Sequence, residues 1–330
     1  MAATLVTGAA GHIGGNLVRA LIAKDKKVLC LVRNDERALK GLPVEIIKSD
    51  ILDYESLLKA VSRAEVVYHL AAHISIQSGE EAKLRRINVE GTRNIVSACL
   101  AAGIRRLVHF SSVHSFAQFP FDEPIDENRP LVNSNESLSY DLTKALGERE
   151  VLAGVEKGLD AVIVNPSAVL GRNDFKPSRM GEVLLALYRR KMPGLIDGAY
   201  DWVDVRDVVD GALNAERLGR RGERYILSGH YLSFAELARL VTEVTGVKAP
   251  RLVFPMWLAR FGAPFATLYA KSSGRRPLYT RQSLKVLRGN GRFSNEKAGR
   301  ELGYNPRPIR ETIADFFEWY EEYFGARGAR

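Results

Sequence analysis

The residues Tyr140-Asp-Leu-Thr-Lys144 place a phenol and an ammonium four positions apart. On a helix that spacing puts both on one face. A free tyrosine has a pKa near ~10, and a nearby cation lowers it toward neutral pH. Of the twelve tyrosines, only Tyr140 has a lysine four residues later. Ser112 lies 28 residues earlier, at the end of the apolar run Arg106–Ser111. Its hydroxyl could hold an oxygen against Tyr140, and Ser111 is the competitor for that role. Together these groups suit the interconversion of a carbonyl and an alcohol: one group orients the oxygen and one exchanges its proton. The reaction also needs a hydride carrier.

A site for that carrier is written into Thr7-Gly8-Ala9-Ala10-Gly11-His12-Ile13-Gly14. Gly8 permits a tight turn, Gly11 lets the main chain approach a pyrophosphate, and Gly14 lets helix and strand pack closely. The following helix offers unpaired N–H groups to phosphates. The contacts expected here are Gly8, Ala10, Gly11, His12 and Ile13, with the His12 ring toward solvent or phosphate. At the end of the second strand, Leu31-Val32-Arg33-Asn34 has no acid to hold ribose hydroxyls. Arg33 suits a 2′-phosphate, and Arg37 could add a second contact. NADP(H) is therefore favoured, with NAD(H) as the alternative.

The elements that must position these residues alternate in type. Strands are expected at 3–7, 27–32, 44–48, 65–70, 106–111 and 161–165. Helices are expected at 12–24, 53–61 (capped by Asp53), 80–102 and 138–157. The strands are nearly continuous apolar runs, as in a parallel sheet buried on both faces. The fold class expected is α/β, a doubly wound parallel sheet with a smaller C-terminal α/β lobe. Residues 1–166 would form the dinucleotide-binding domain and 167–330 mainly the substrate lobe, with about 200–232 returning to the first. Ser233-Phe-Ala-Glu236 reads as a capping box opening a helix to about Thr245, and 309–324 as a terminal helix.

These motifs resemble the extended short-chain dehydrogenase/reductase superfamily, within its epimerase/dehydratase branch, and the resemblance runs nearly end to end. It is greatest to bacterial dihydroflavonol-4-reductase-like proteins, hopanoid-associated sugar epimerases and 3β-hydroxysteroid dehydrogenases. The resemblance implies a Rossmann fold and a Ser112–Tyr140–Lys144 catalytic set, with Tyr140 and Lys144 also touching cofactor. It implies further cofactor contacts at Asp50, Ile51, Leu70, Ala71, Ala72, Asn88, Asn165, Pro166 and Ser167. Substrate contacts are expected at His114, His73 and Trp202, although His114 and His73 are as readily plain loop residues. Many relatives have glycine five residues after the serine, and this chain has Ala117. A homodimer through the helices 80–102 and 138–157 is implied, as is the alternative activity of an NAD-dependent sugar-nucleotide epimerase or dehydratase.

The chain of 330 residues carries a net charge of +9. Residues 271–300 hold nine Lys/Arg against one acid. Just before them, Phe254, Trp257, Phe261, Phe265 and Tyr269 recur at helical steps. That stripe suits a packed lobe helix, a lid over a bulky lipophilic substrate, or peripheral contact with an acidic membrane. The basic segment suits an anionic substrate group, lipid or solvent. No nucleic-acid motif and no histidine spacing suited to a metal is present. Cys30 and Cys99 lie in apolar runs, as small buried hydrophobes of a reducing compartment. With no leader visible after Met1, a cytoplasmic enzyme acting on a small molecule is expected.

Overall fold

A computed structural model describes residues 3–75, 79–133, 138–258 and 289–325. Its first half is β1 (Ala3–Thr7), α1 (His12–Ile22), β2 (Val28–Val32), β3 (Glu45–Lys48), α2 (Tyr54–Val61) and β4 (Ala64–His69). It continues with α3 (Glu81–Arg85), α4 (Gly91–Ala102), β5 (Arg106–Phe110), α5 (Ser139–Glu156) and β6 (Ala161–Pro166). These strands and β10 (Arg224–Leu227) form one seven-stranded sheet in the order β10-β6-β5-β4-β1-β2-β3. Every pairing in it is parallel.

Strand order reverses between β1 and β4, so the carboxyl ends of these two strands open a crevice where doubly wound sheets bind ligands. One face of the sheet buries Leu17, Val18 and Leu21 of α1 with Val208, Ala212 and Ala215 of α7 (Val205–Leu218). The other buries residues of α2, α4 and α5, among them Leu57, Ile95 and Val151. Cys30 and Cys99 are free and buried in these two cores.

The long helix expected over 80–102 is interrupted. Between α3 and α4, residues Arg86–Glu90 form a π-helical turn carrying the buried Asn88. Such wide turns commonly mark functional sites in helices. A Cβ on Gly147 of α5 would come within 2.8 Å of the Asn88 main-chain oxygen, so glycine lets α5 lie directly against this turn.

The lobe is built from β7 (Ala168–Leu170), α6 (Arg179–Tyr188), β8 (Leu195–Ile196), β9 (Ala199–Asp204), β11 (His230–Ser233), α8 (Phe234–Thr245), β12 (Val253–Phe254) and α10 (Ile309–Phe324). Its three-stranded sheet, β11-β9-β7, lies beside the pair β12-β8. Within 200–232, β10 belongs to the first sheet and α7 packs on it, whereas β9 and β11 belong to the lobe. Helix α9 (Glu296–Leu302) also packs on the first domain, through Ala298 and Leu302. The capping box at Ser233 and Glu236 is formed in full.

The apolar stripe does not start as a helix. Val253 and Phe254 are a strand paired with β8, and Trp257 is 70% exposed. Phe261, Phe265 and Tyr269 lie outside the described residues, as do Lys271, Arg275, Arg276, Arg281, Lys285 and Arg288. The remaining three basic residues are engaged: Arg292 lies over the Tyr231 ring, Lys297 pairs with Glu223, and Arg300 with Glu301. No helix among the described residues is long and apolar enough to cross a membrane.

Candidate active site

At the crevice, Gly8 takes a positive φ of 69° that a side chain would strain. A Cβ on Gly8 would lie 2.7 Å from Ala71 N, and one on Gly14 would lie 2.2 Å from the Gly8 carbonyl oxygen. The glycines thus bring α1 and the end of β4 onto the turn. No side chain caps α1 and no acid stands in its first turn. A helix N-terminus of this kind attracts an anion, and the cradle fits the pyrophosphate of a dinucleotide. The seam between β1 and β4 is fastened by Leu70 N–H donating to Thr7 O and Ala71 N–H to Thr7 Oγ1. Ala72, just beyond, is exposed.

Some expected cofactor contacts are placed differently. The His12 ring is bound to the carbonyl oxygen of Arg172 at 3.1 Å. The Ile51 side chain is buried against Gly91 of α4. Asp50 accepts from Leu52 N–H, and its other oxygen lies 4.0 Å from Arg33. The Arg33 side chain is 61% exposed. Arg37 is paired instead with Asp35, whose pKa it holds down to about 2.

Ser112 follows β5 and Tyr140 opens α5. Ser112 Oγ accepts from His114 N–H and lies beside the Tyr140 phenol. Burial, with Asp141 beside it, raises the Tyr140 pKa, and the nearby Ser112 hydroxyl only partly offsets this. Lys144, expected to lower it, makes no direct hydrogen bond to the phenol among the described residues. Lys144 Nζ instead donates to the Phe110 carbonyl oxygen at 2.8 Å. Burial depresses Lys144 itself to about 8, opposed by the charge of Glu148.

Beneath these residues runs a buried network that the sequence reading did not identify. Glu148 Oε1 accepts from Ser115 Oγ at 2.5 Å and from Asn165 Nδ2 at 2.7 Å. Asn165 Nδ2 also reaches the Ser112 carbonyl oxygen at 3.2 Å. Asn165 is wholly buried, so its side chain braces the serine segment from below rather than facing a cofactor. Pro166 is buried at the end of β6, and Ser167 Oγ donates to Asp201. Glu148 could have been found by its spacing: 140, 144 and 148 continue one helix face.

Asn88 bonds both the N–H and the carbonyl oxygen of His73, and also Thr143 Oγ1. The His73 ring turns to Glu80 at 3.2 Å. His114 lies beside Tyr140, ring centroids 5.9 Å apart, with Nε2 2.9 Å from Tyr200 Oη. Trp202 corrects the expectation for it. It is fully buried in the lobe core against Phe234, its indole N–H donating to Leu232 O. The residue of β9 that reaches the site is Tyr200, two positions earlier on the same strand face.

Comparison with known proteins identifies the family. The model of the NAD dependent epimerase/dehydratase family matches residues 4–227. "Sterol demethylase protein B" of Methylococcus capsulatus is 36% identical, covering 97% of this chain and 98% of its own length. A "Putative dihydroflavonol 4-reductase" of Synechocystis sp. is 33% identical over 96% of this chain and 94% of its own. The crystal structure of gox2253 superposes with a TM-score of 0.85 at 32% identity, covering 98% of this chain and 99% of that one. The chain belongs to the NAD-dependent epimerase/dehydratase family of extended short-chain dehydrogenase/reductases, enzymes that act on CH–OH groups with a nicotinamide dinucleotide.

Proposed function

We propose that this enzyme is an NADP(H)-dependent oxidoreductase interconverting a ketone and a secondary alcohol on a hydrophobic molecule of sterol, terpenoid or flavonoid kind. The observation that carries the reading is the meeting of Ser112, Tyr140 and Lys144 at the carboxyl edge of β5. The name of the relative from Methylococcus supports a sterol-like substrate. The exposed Arg33, with no acid at the end of β2, supports the 2′-phosphate.

In this reading the bound nicotinamide supplies or accepts the hydride. The chain's own residues do the rest. Ser112 holds the substrate oxygen, Tyr140 gives or takes its proton, and Lys144 keeps positive charge beside that oxygen and binds ribose. The Gly8–Ile13 turn and the main chain at 70–72 hold the dinucleotide. The first domain serves the cofactor and the lobe the substrate. The assignment extends to a homodimer through α4 and α5, checked by sedimentation, and to a cytoplasmic location.

The test is a screen of sterol, terpenoid, flavonoid and sugar-nucleotide carbonyls with NADPH and NADH. Turnover of a lipophilic ketone with NADPH preferred, and the preference lost in Arg33→Ala, is the expected result. Purified protein retaining stoichiometric NAD, with turnover of a sugar nucleotide and no net cofactor oxidation, would contradict it.

A further inference from the structure

The strand pair β8–β12 of the lobe takes no part in the site described above. It holds two strands only, and the outer edge of β12 has no strand beside it among the described residues. Four large apolar residues, Leu252, Val253, Trp257 and Leu258, are exposed within seven consecutive positions on and just after β12. Leu252 is 61% exposed and Trp257 70%. Single exposed apolar residues are ordinary, whereas a run of them marks a contact surface.

Charge decides what that surface meets. Strands β8 and β12 are parallel, so the chain enters both from the same end. Those entries carry Arg190 and Lys191 before β8, and Lys248 and Arg251 before β12, all four exposed. None of the four side chains has a hydrogen-bond or ion-pair partner among the described residues. Asp197 is exposed and follows β8 at the opposite end. Between Glu243 and Glu296 the sequence holds ten Lys/Arg and no acid.

Cations at this density repel the same face of a second copy. Pro250 and Pro255 flank the two-residue strand, and proline there opposes pairing with an added strand. An anionic surface with an apolar interior suits both features. Lysine and arginine are drawn to acidic headgroups, and an exposed tryptophan settles at the boundary beneath them.

We propose that the β8–β12 edge docks the enzyme on a membrane surface of acidic phospholipid. Leu252, Val253, Trp257 and Leu258 enter the boundary between headgroups and acyl chains, and Arg190, Lys191, Lys248 and Arg251 meet the lipid phosphates. The contact is peripheral: it buries side chains and spans nothing. It brings the lobe to the lipid. This surface goes beyond the ketone reading above and stands without it.

The test is co-sedimentation of the whole chain with vesicles of phosphatidylglycerol and phosphatidylcholine, or of phosphatidylcholine alone. Fluorescence is followed in parallel. Trp202 and Trp319 are buried, so a blue shift and quenching by brominated acyl chains report on Trp257. Binding should be at least about tenfold tighter to the acidic vesicles, weaken with added salt, and bring that quenching. The pair Leu252→Glu with Trp257→Glu should release the protein from vesicles. The pair Lys191→Glu with Arg251→Glu should weaken binding by at least about tenfold. These positions are exposed, so both variants should keep the wild-type urea midpoint. Where a variant fails to fold, quenching of Trp257 in the wild type decides alone. No binding to acidic vesicles, equal binding to both kinds, undiminished binding in either folded variant, or binding with Trp257 unquenched overturns the proposal. Self-association abolished by Trp257→Glu, without vesicle binding, also overturns it and gives the edge to a second copy. Vesicle binding without turnover of any lipophilic ketone supports the docking surface and counts against the oxidoreductase reading alone.

Discussion

Lys144 Nζ donates to the carbonyl oxygen of Phe110 at 2.8 Å, which ties the ammonium to the last residue of β5, two positions before Ser112. Burial brings its pKa down to about 8, while Glu148 opposes the shift. The ammonium is therefore lost as pH rises through about 8. The pH profile of kcat/KM for ketone reduction should fall on an alkaline limb near that value. In Glu148→Gln the opposing charge is gone, and the limb should move to lower pH. A limb that stays in place would show that Lys144 does not set it.

Asn165 and Glu148 share one buried hydrogen bond, and Asn165 also holds the Ser112 main chain. Asn165→Leu leaves Glu148 buried with fewer partners. The loss should cost about 2–3 kcal/mol in urea unfolding, with kcat reduced more than KM is raised. Unchanged kcat in a folded variant would mean that the serine segment holds its place without this brace.

Gly14 has no room for a methyl group, because its Cβ would meet the Gly8 oxygen at 2.2 Å. Gly14→Ala must push α1 off the turn. Nucleotide affinity by calorimetry should fall at least tenfold. Wild-type affinity in the variant would place the dinucleotide elsewhere.

Two histidines face each other in register on β4 and β5, with ring centroids 5.3 Å apart. Burial and Lys144 hold His69 near a pKa of about 3, and hold His109 well below its ordinary value. Both stay neutral in the fold while the unfolded chain takes up protons below about pH 6.5. Stability should thus be full above pH 6.5 and fall as pH drops toward 3, by up to roughly 1.4 kcal/mol per pH unit for each group. Neither ring nitrogen of His109 has a hydrogen-bond partner among the described residues, so His109→Phe should flatten this dependence without lowering the urea midpoint at pH 8. A pH dependence identical to wild type would contradict the assignment.

What the sequence made legible was local. The glycine turn, the Asp53 cap, the Ser233–Glu236 box and the helix face of Tyr140 and Lys144 all rest on contacts within a few residues. The alternation of runs was enough to place the parallel sheet. What escaped needs tertiary packing. Tyr200 reaches His114 across 86 residues, and no local pattern separates it from Trp202, which shares its strand face and turns its indole N–H to the Leu232 carbonyl oxygen instead. Asn165 looked like a cofactor contact by motif, but parallel pairing on both sides of β6 buries it under the site. The π-helical turn at Asn88 depends on the close approach of Gly147, which helical periodicity does not reveal.

The most direct test of the central claim is the NADPH-dependent reduction rate of a lipophilic ketone by wild type and by Tyr140→Phe. The account predicts that removing this one hydroxyl lowers kcat by at least about a thousandfold, the scale of a lost general acid. A variant that reduces the ketone at the wild-type rate would contradict it.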